Sequence, residues 1–161
     1  MQSKHPNMNE VEQDFFIETI AGIDRYVEYG CGKSTELAKE HCKSVTSIET
    51  DEQWAKKCGA YHINLGEVGS WGYPVTEPRL YQLRQYFSFA KDFDILLIDG
   101  RYRVGVALHA EPGLILIHDY EREKYHVVER FMKKIKQVDR LALFEKKRKP
   151  VVTLELLTDA L

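Results

Sequence analysis

Positions 26–35 read Y-V-E-Y-G-C-G-K-S-T, an apolar strand-like run followed by two closely spaced glycines and then by hydroxyl side chains. Glycine at Gly30 and Gly32 permits positive φ and, having no Cβ, lets a ligand come close to the backbone. Ser34 and Thr35 are favoured N-cap residues, so a helix beginning there aims its free N–H groups at whatever lies above the turn. The stretch predicts a strand over 25–29, a nucleotide-sized pocket and a helix carrying Leu37, Ala38 and His41.

Working outward, 44–49 (S-V-T-S-I-E) is rich in β-branched residues, and 50–53 (T-D-E-Q) reads as a capping box that starts a helix at once. Glu49 is therefore expected at a strand's carboxyl end. A third strand over 61–65 leads into G-E-V-G-S-W-G-Y-P, a loop with three glycines and two large aromatics. Pro78 suits the first turn of a helix with Leu80, Leu83, Phe87 and Ala90 on one face.

The continuous apolar runs 93–98 and 114–117 predict strands buried on both faces, ending at Asp99-Gly100 and His118-Asp119. Between them 102–110 reads as a helix broken by Pro112-Gly113. Val127, Val128, Phe131, Met132 and Ile135 predict a further amphipathic helix. Segments 140–144 and 151–157, flanking E-K-K-R-K-P, predict a terminal hairpin. Upstream, Met8, Val11, Phe15, Phe16 and Ile20 recur at near-helical spacing up to Gly22, so residues 1–22 predict a flanking or lid helix.

Alternating strands and helices give a doubly wound parallel sheet, whose ligands lie beyond the strands' carboxyl ends at the topological switch point. Gly30, Glu49, Glu67, Asp99 and His118-Asp119 all fall at such ends. The 161 residues make one domain, with 43 % hydrophobic and 30 % charged residues and a net charge of -2. This balance gives no general attraction to nucleic acid or membrane. Cys31, Cys42 and Cys58 are odd in number and form no C-x-x-C pair, which suits a reducing cytoplasm. The N-terminus lacks the apolar core of a signal peptide, and no run approaches a membrane span.

G-K-S-T invites a phosphate-binding P-loop, but that pattern needs glycine five positions before Gly32, where Val27 stands. A nucleoside triphosphatase is thereby disfavoured. The dinucleotide pattern G-x-G-x-x-G matches at Gly30 and Gly32, with Thr35 in the third place. Glu49, about twenty positions on, can accept both hydroxyls of a ribose. Glu28, Glu49 and Asp99 crowd carboxylates around the switch point, which repels polyphosphate and favours a ligand carrying ammonium and sulfonium charge. S-adenosylmethionine is such a ligand.

V-E-Y-G-C-G-K-S-T, S-I-E-T-D and F-D-I-L-L-I-D-G resemble successive motifs of class I S-adenosylmethionine-dependent methyltransferases, of a small-molecule or uncharacterised branch. The likeness runs from about Arg25 to Asp119 and, through the hairpin, nearly to the end. The resemblance implies an α/β fold, a single seven-stranded, mostly parallel sheet of order 3-2-1-4-5-7-6 with the last strand antiparallel and helices on both faces. It also implies cofactor roles. Gly30 and Gly32 would admit the cofactor, Glu28 would face its amino end, and Ser34 and Thr35 would lie near its carboxylate. Glu49 would hold the ribose with Thr50 beside it, and Glu67 would reach the adenine amine. Cys31, in the same cofactor turn, reads as a small turn residue rather than a nucleophile, because the sequence places no base beside it.

Methyl transfer is an in-line displacement in which the protein supplies alignment, desolvation and sometimes a base. Asp99, His118 and Asp119 are the candidates, because they end adjacent strands and His118 titrates near neutrality. The plainer alternatives are a strand-end histidine satisfied by a neighbour and a structural helix cap. Catechol-type O-methyltransferases hold a divalent metal with an aspartate after the fourth strand and an Asp-Asn pair after the fifth. Asp99 and Asp119 match that set, but Tyr120 stands in the asparagine's place and leaves it incomplete.

Arg101 and Arg103 could clamp an anionic substrate or simply balance local acids. Trp71 and Tyr73 could close over adenine or substrate, or merely anchor their loop. E-K-K-R-K with Lys133, Lys134 and Lys136 is the one basic cluster, and it lacks the interleaved aromatics of an RNA surface. The expectation is a methyltransferase acting on a small or medium-sized acceptor, at oxygen. The alternative is a non-catalytic nucleoside-binding module, and a homo-oligomer completing the pocket stays open.

Overall fold

In a computed structural model, which describes residues 8–150, the chain runs through α1 (Glu10–Ile20), β1 (Arg25–Tyr29), α2 (Lys33–His41), β2 (Ser44–Glu49), α3 (Glu52–Cys58) and β3 (Tyr61–His62). It continues through α4 (Leu80–Phe87), β4 (Ile95–Ile98), α5 (Arg103–His109), β5 (Gly113–Ile117), β6 (Lys133–Val138) and β7 (Leu141–Lys146). The seven strands form one sheet of order β3-β2-β1-β4-β5-β7-β6. Every pair from β3 to β5 is parallel, and β7 runs antiparallel to both β5 and β6. The expected order and the reversed last strand are both present.

Side chains alternate across a strand, so the apolar run I-L-L-I feeds two cores. Ile95 and Leu97 join Tyr26, Leu116 and the α1 and α2 residues Phe16, Ile20 and Ala38. Leu96 and Ile98 join Val27, Tyr29, Ile115 and Ile117 beneath Leu83, Tyr86 and Phe87 of α4 and Val106 of α5. Both faces are thus covered, and only strand ends and loops remain to make a site.

α1 begins with a capping box: Asn9 accepts from the Glu12 amide while Glu12 accepts from the Asn9 amide. The buried stripe runs through Glu12 instead of Val11, which is 56 % exposed. α3 is capped by Asp51, whose carboxylate accepts from the Trp54 amide, whereas the Thr50 hydroxyl turns away to the Gly72 carbonyl. On α4, Leu80 is exposed and Tyr86 takes the expected apolar place.

The largest departure concerns 127–135. Residues Glu123–Arg130 form 3-10 turns, and Lys133–Val138 pair with β7 across a turn containing Asp139 at φ 50. The hairpin is therefore β6–β7, and the strand expected over 151–157 lies outside the described residues. Pairing to β5 through β7 outweighs the short helical apolar pattern, since strand preference depends on the neighbour more than on the segment. Lys133, Lys134 and Lys136 lie on the exposed edge strand β6, where lysines discourage edge-to-edge association.

β7 also supplies Lys146, 1 % exposed, whose ammonium donates to the carbonyls of Ala107, Leu108 and Ala110 at 2.7, 2.9 and 2.6 Å. It neutralises the negative end of α5. No described helix is long and apolar enough to cross a membrane.

Candidate functional site

β1 lies between β2 and β4 in a sheet whose growth reverses at that point, and the crevice opens there, as the topology requires. Its walls include Gly30, Glu49, Thr50, Trp71, Asp99 and Arg101. The cavity they enclose is about 10 Å³, room for roughly one water molecule.

The space is small because a loop tip occupies it. Val68 and Pro74 bridge the base of the loop, and Trp71 and Gly72, at φ 60 and 69, form a tight turn of the primed kind. Thr50 Oγ1 donates to the Gly72 carbonyl at 2.9 Å. A Cβ on Gly72 would collide with Thr50 Oγ1 and press against Glu49 Oε1 at 3.3 Å, so only glycine lets the tip seat here.

Glu49 Oε1 accepts from the Thr50 and Asp51 amides at 2.8 and 3.0 Å. Its Oε2 meets the weak thiol donor of Cys31 at 3.7 Å, leaving acceptor capacity toward the crevice. Burial pushes the Cys31 thiol far up, so Cys31 is no nucleophile. Gly30 sits at φ 87, and a Cβ there would come within 3.0 Å of the Asp99 carbonyl carbon and oxygen. Its missing side chain serves the packing of the β1 turn on the β4 turn.

Glu28 is fully buried beneath the turn. It accepts from Tyr26, Ser34 and Ser47 hydroxyls at 2.8, 2.8 and 2.6 Å and from the Thr35 hydroxyl. Burial raises its pKa, with these hydrogen bonds opposing. Glu28, Ser34 and Thr35, expected at a cofactor's amino-acid end, are thus engaged with one another and tie α2 to β1 and β2. Glu67 is exposed at the base of the loop, and the structure does not bring it to the crevice.

Asp99, His118 and Asp119 do converge, with one ligating atom from each lying within 4.8 Å of the others. His118 is 1 % exposed, its Nδ1 3.3 Å from Asp99 Oδ1 and its Nε2 3.3 Å from Glu12 Oε2. Burial alone would lower its pKa, but the Asp99 hydrogen bond and the charges of Asp99 and Asp119, with Glu12, raise it. A carboxylate at each ring nitrogen favours the protonated form of His118. Glu12 also accepts from the Arg140 amide and guanidinium at 2.9 to 3.1 Å. Arg103, 5 % exposed, places Nη2 3.3 Å from Asp99 Oδ1 and 3.1 Å from Asp119 Oδ2. Three carboxylates are thereby balanced by two arginines and the protonated form of His118.

Arg101 is placed differently. Its guanidinium lies 3.9 Å from the centre of the Tyr73 ring, and its buried Nε has no hydrogen-bond partner among the described residues. The Tyr86 hydroxyl accepts from its amide and donates to its carbonyl.

No protein-family model and no curated protein matches the sequence. Among solved structures, a methyltransferase-like protein from Silicibacter pomeroyi is 26 % identical at a TM-score of 0.82, the match covering 97 % of this chain and 96 % of that one. The N-methyltransferase NodS from Bradyrhizobium japonicum matches at 13 % identity and a TM-score of 0.51, over 87 % of this chain and 98 % of that one. The chain has the class I S-adenosylmethionine-dependent methyltransferase fold. MycE of mycinamycin biosynthesis, solved with Mg, S-adenosylhomocysteine and mycinamycin VI, shares this methyltransferase fold at 14 % identity and a TM-score of 0.50, over 91 % of this chain and 52 % of that one.

Within the methyltransferase fold, the Asp99, His118 and Asp119 donors do not fit a divalent metal. The Arg103 guanidinium already bridges the two aspartates, and both His118 nitrogens face carboxylates. Tyr120 is buried against Phe144 and supplies no ligand in the asparagine's place. Glu12 and Arg140 escaped the sequence reading. The available signal for Glu12 was its position, four residues after Met8 and four before Phe16, on the apolar stripe of α1.

Proposed function

We propose that the chain is an S-adenosylmethionine-dependent methyltransferase that methylates oxygen on a small or medium-sized acceptor. The observation that carries this is the position of Glu49 at the tip of β2, facing the Gly30 turn of β1 across the crevice at the switch point, with Oε2 met by the weak Cys31 thiol donor at 3.7 Å. The loop tip at Trp71-Gly72 withdraws to admit the nucleoside, and Trp71 then covers the site while Tyr73, beside the Val68–Pro74 bridge, stays on Arg101.

Of the three acidic and imidazole candidates, Asp99 is the one on the crevice wall. It receives the acceptor hydroxyl and orients it for in-line attack. S-adenosylmethionine would supply an electrophilic methyl group on a sulfur that would leave with the C–S bonding electrons, and Asp99 or solvent takes the acceptor's hydroxyl proton as the C–O bond forms. His118, Arg103 and Asp119 hold the Asp99 carboxylate in place as positioning residues. Protonation of the buried imidazole, which its carboxylate neighbours favour, takes the lone pair a general base needs.

Calorimetry with S-adenosylhomocysteine tests the reading. The expected results are binding to the wild type, no binding of ATP, and a loss of about tenfold or more in Glu49→Ala, as for a hydrogen bond to a charged group. Unchanged affinity in the variant would overturn the ribose assignment. Methyl release from labelled cofactor over an acceptor panel separates an enzyme from a binding module.

A further inference from the structure

The cations around the crevice are nearly all engaged. Arg103 donates to the Gly100, His118 and Asp99 carbonyls at 3.1, 2.5 and 3.3 Å besides bridging two aspartates. Arg140 is bound to Glu12, and Arg122 leans on Asp119 at 3.5 Å. Among the described residues Arg101 has no carboxylate partner, and its buried Nε–H has no acceptor. An orphaned charged donor in a crevice wall is costly unless something supplies the acceptor.

The setting is built to present that donor. The Tyr86 hydroxyl fixes the Arg101 peptide from both sides, and the guanidinium carbon lies 3.9 Å from the centre of the Tyr73 ring. A guanidinium carries its N–H donors in a fixed planar fork, the edge that pairs with carboxylate or phosphate. Lys124 adds positive charge at the same place. Burial would raise the Tyr73 phenol's pKa, but the charges of Arg101 and Lys124 lower it.

Resting on the transferase reading above, we propose that Arg101, supported on Tyr73, is the acceptor-recognition residue and that the acceptor carries an anionic oxygen group, a carboxylate or a phosphate. Arg101 adjoins Asp99 along the crevice wall, so an anion seated on it sets an acceptor hydroxyl within reach of Asp99. Neutral acceptors leave the Nε–H unpaired and are selected against.

The test uses the full chain saturated with S-adenosylhomocysteine and labelled with 15N-arginine. Failure of S-adenosylhomocysteine to bind would fall on the transferase reading itself, and is seen before any probe is added. Benzoate, inorganic phosphate and neutral benzamide are then titrated. The expected result is that the Arg101 Nε–H resonance shifts with benzoate or phosphate and not with benzamide, with benzoate or phosphate bound at least about tenfold more tightly than benzamide. Whichever anion binds more tightly identifies the group. The preference collapses in Arg101→Gln and persists in reduced form in Arg101→Lys, which a merely loop-pinning role would not produce. An Nε–H unmoved by both anions, a preference surviving in Arg101→Gln, or a loss of S-adenosylhomocysteine affinity in that variant overturns the proposal. The wild-type titration needs no variant, so a misfolded Arg101→Gln leaves the test standing.

Discussion

Replacing Gly72 by alanine should make the protein bind S-adenosylhomocysteine more tightly. In the structure the Gly72 tip is seated on Thr50 and Glu49, where a nucleoside ribose is proposed to lie, and a Cβ at Gly72 meets Thr50 Oγ1 and Glu49 Oε1. Seating an alanine there sacrifices the 2.9 Å hydrogen bond from Thr50, worth about 1 kcal/mol. Holding the residue at φ 69 adds about 1 to 2 kcal/mol. The docked loop is thus raised by about 2 kcal/mol, while an undocked loop is free to relax. A ligand that binds only the undocked form gains apparent affinity by the same factor, up to about thirtyfold if docking dominates in the wild type. Calorimetry gives the affinity, and Trp71 fluorescence reports whether the tip leaves the crevice. Equal or weaker binding by Gly72→Ala would refute the idea that loop and nucleoside compete for one place.

Other consequences concern stability. His118 titrates near pH 6.5 in an unfolded chain and at a raised pKa in the fold. Its contribution is therefore complete below the unfolded value and fades as pH climbs through the folded one. The advantage of wild type over His118→Asn in chemical denaturation should shrink steadily from about pH 6 upward, and a constant gap would show that His118 is not held as imidazolium. Lys146→Met should cost about 3 kcal/mol in urea unfolding, because three buried carbonyls at the end of α5 lose their donor. A change below about 0.5 kcal/mol would mean that water replaces the ammonium.

The local chemistry of this chain was legible in its residues. A β-branched run, two glycines and two hydroxyls announce strand, turn and helix wherever they occur, because φ freedom, capping and side-chain alternation act within a few residues. Continuous apolar runs around 95–98 and 114–117 announced a sheet covered on both faces, and strand ends placed Asp99, His118 and Asp119 side by side. The seven-stranded order followed from the resemblance that those motifs carry.

What the tertiary structure decided depends on chain segments that return from far away. Glu12 reaches His118 across 106 positions and Arg140 across 128, and that contact favours the protonated form of a candidate base. Arg103 and Arg101 are two residues apart, yet one closes a carboxylate cluster and the other faces the crevice with an unpaired donor. The segment 127–135 became turns and a strand because β7 offered an unpaired edge. Burial, counter-charge and strand pairing are long-range quantities. They are set by whatever happens to pack alongside, and no window of sequence contains its own neighbours in space.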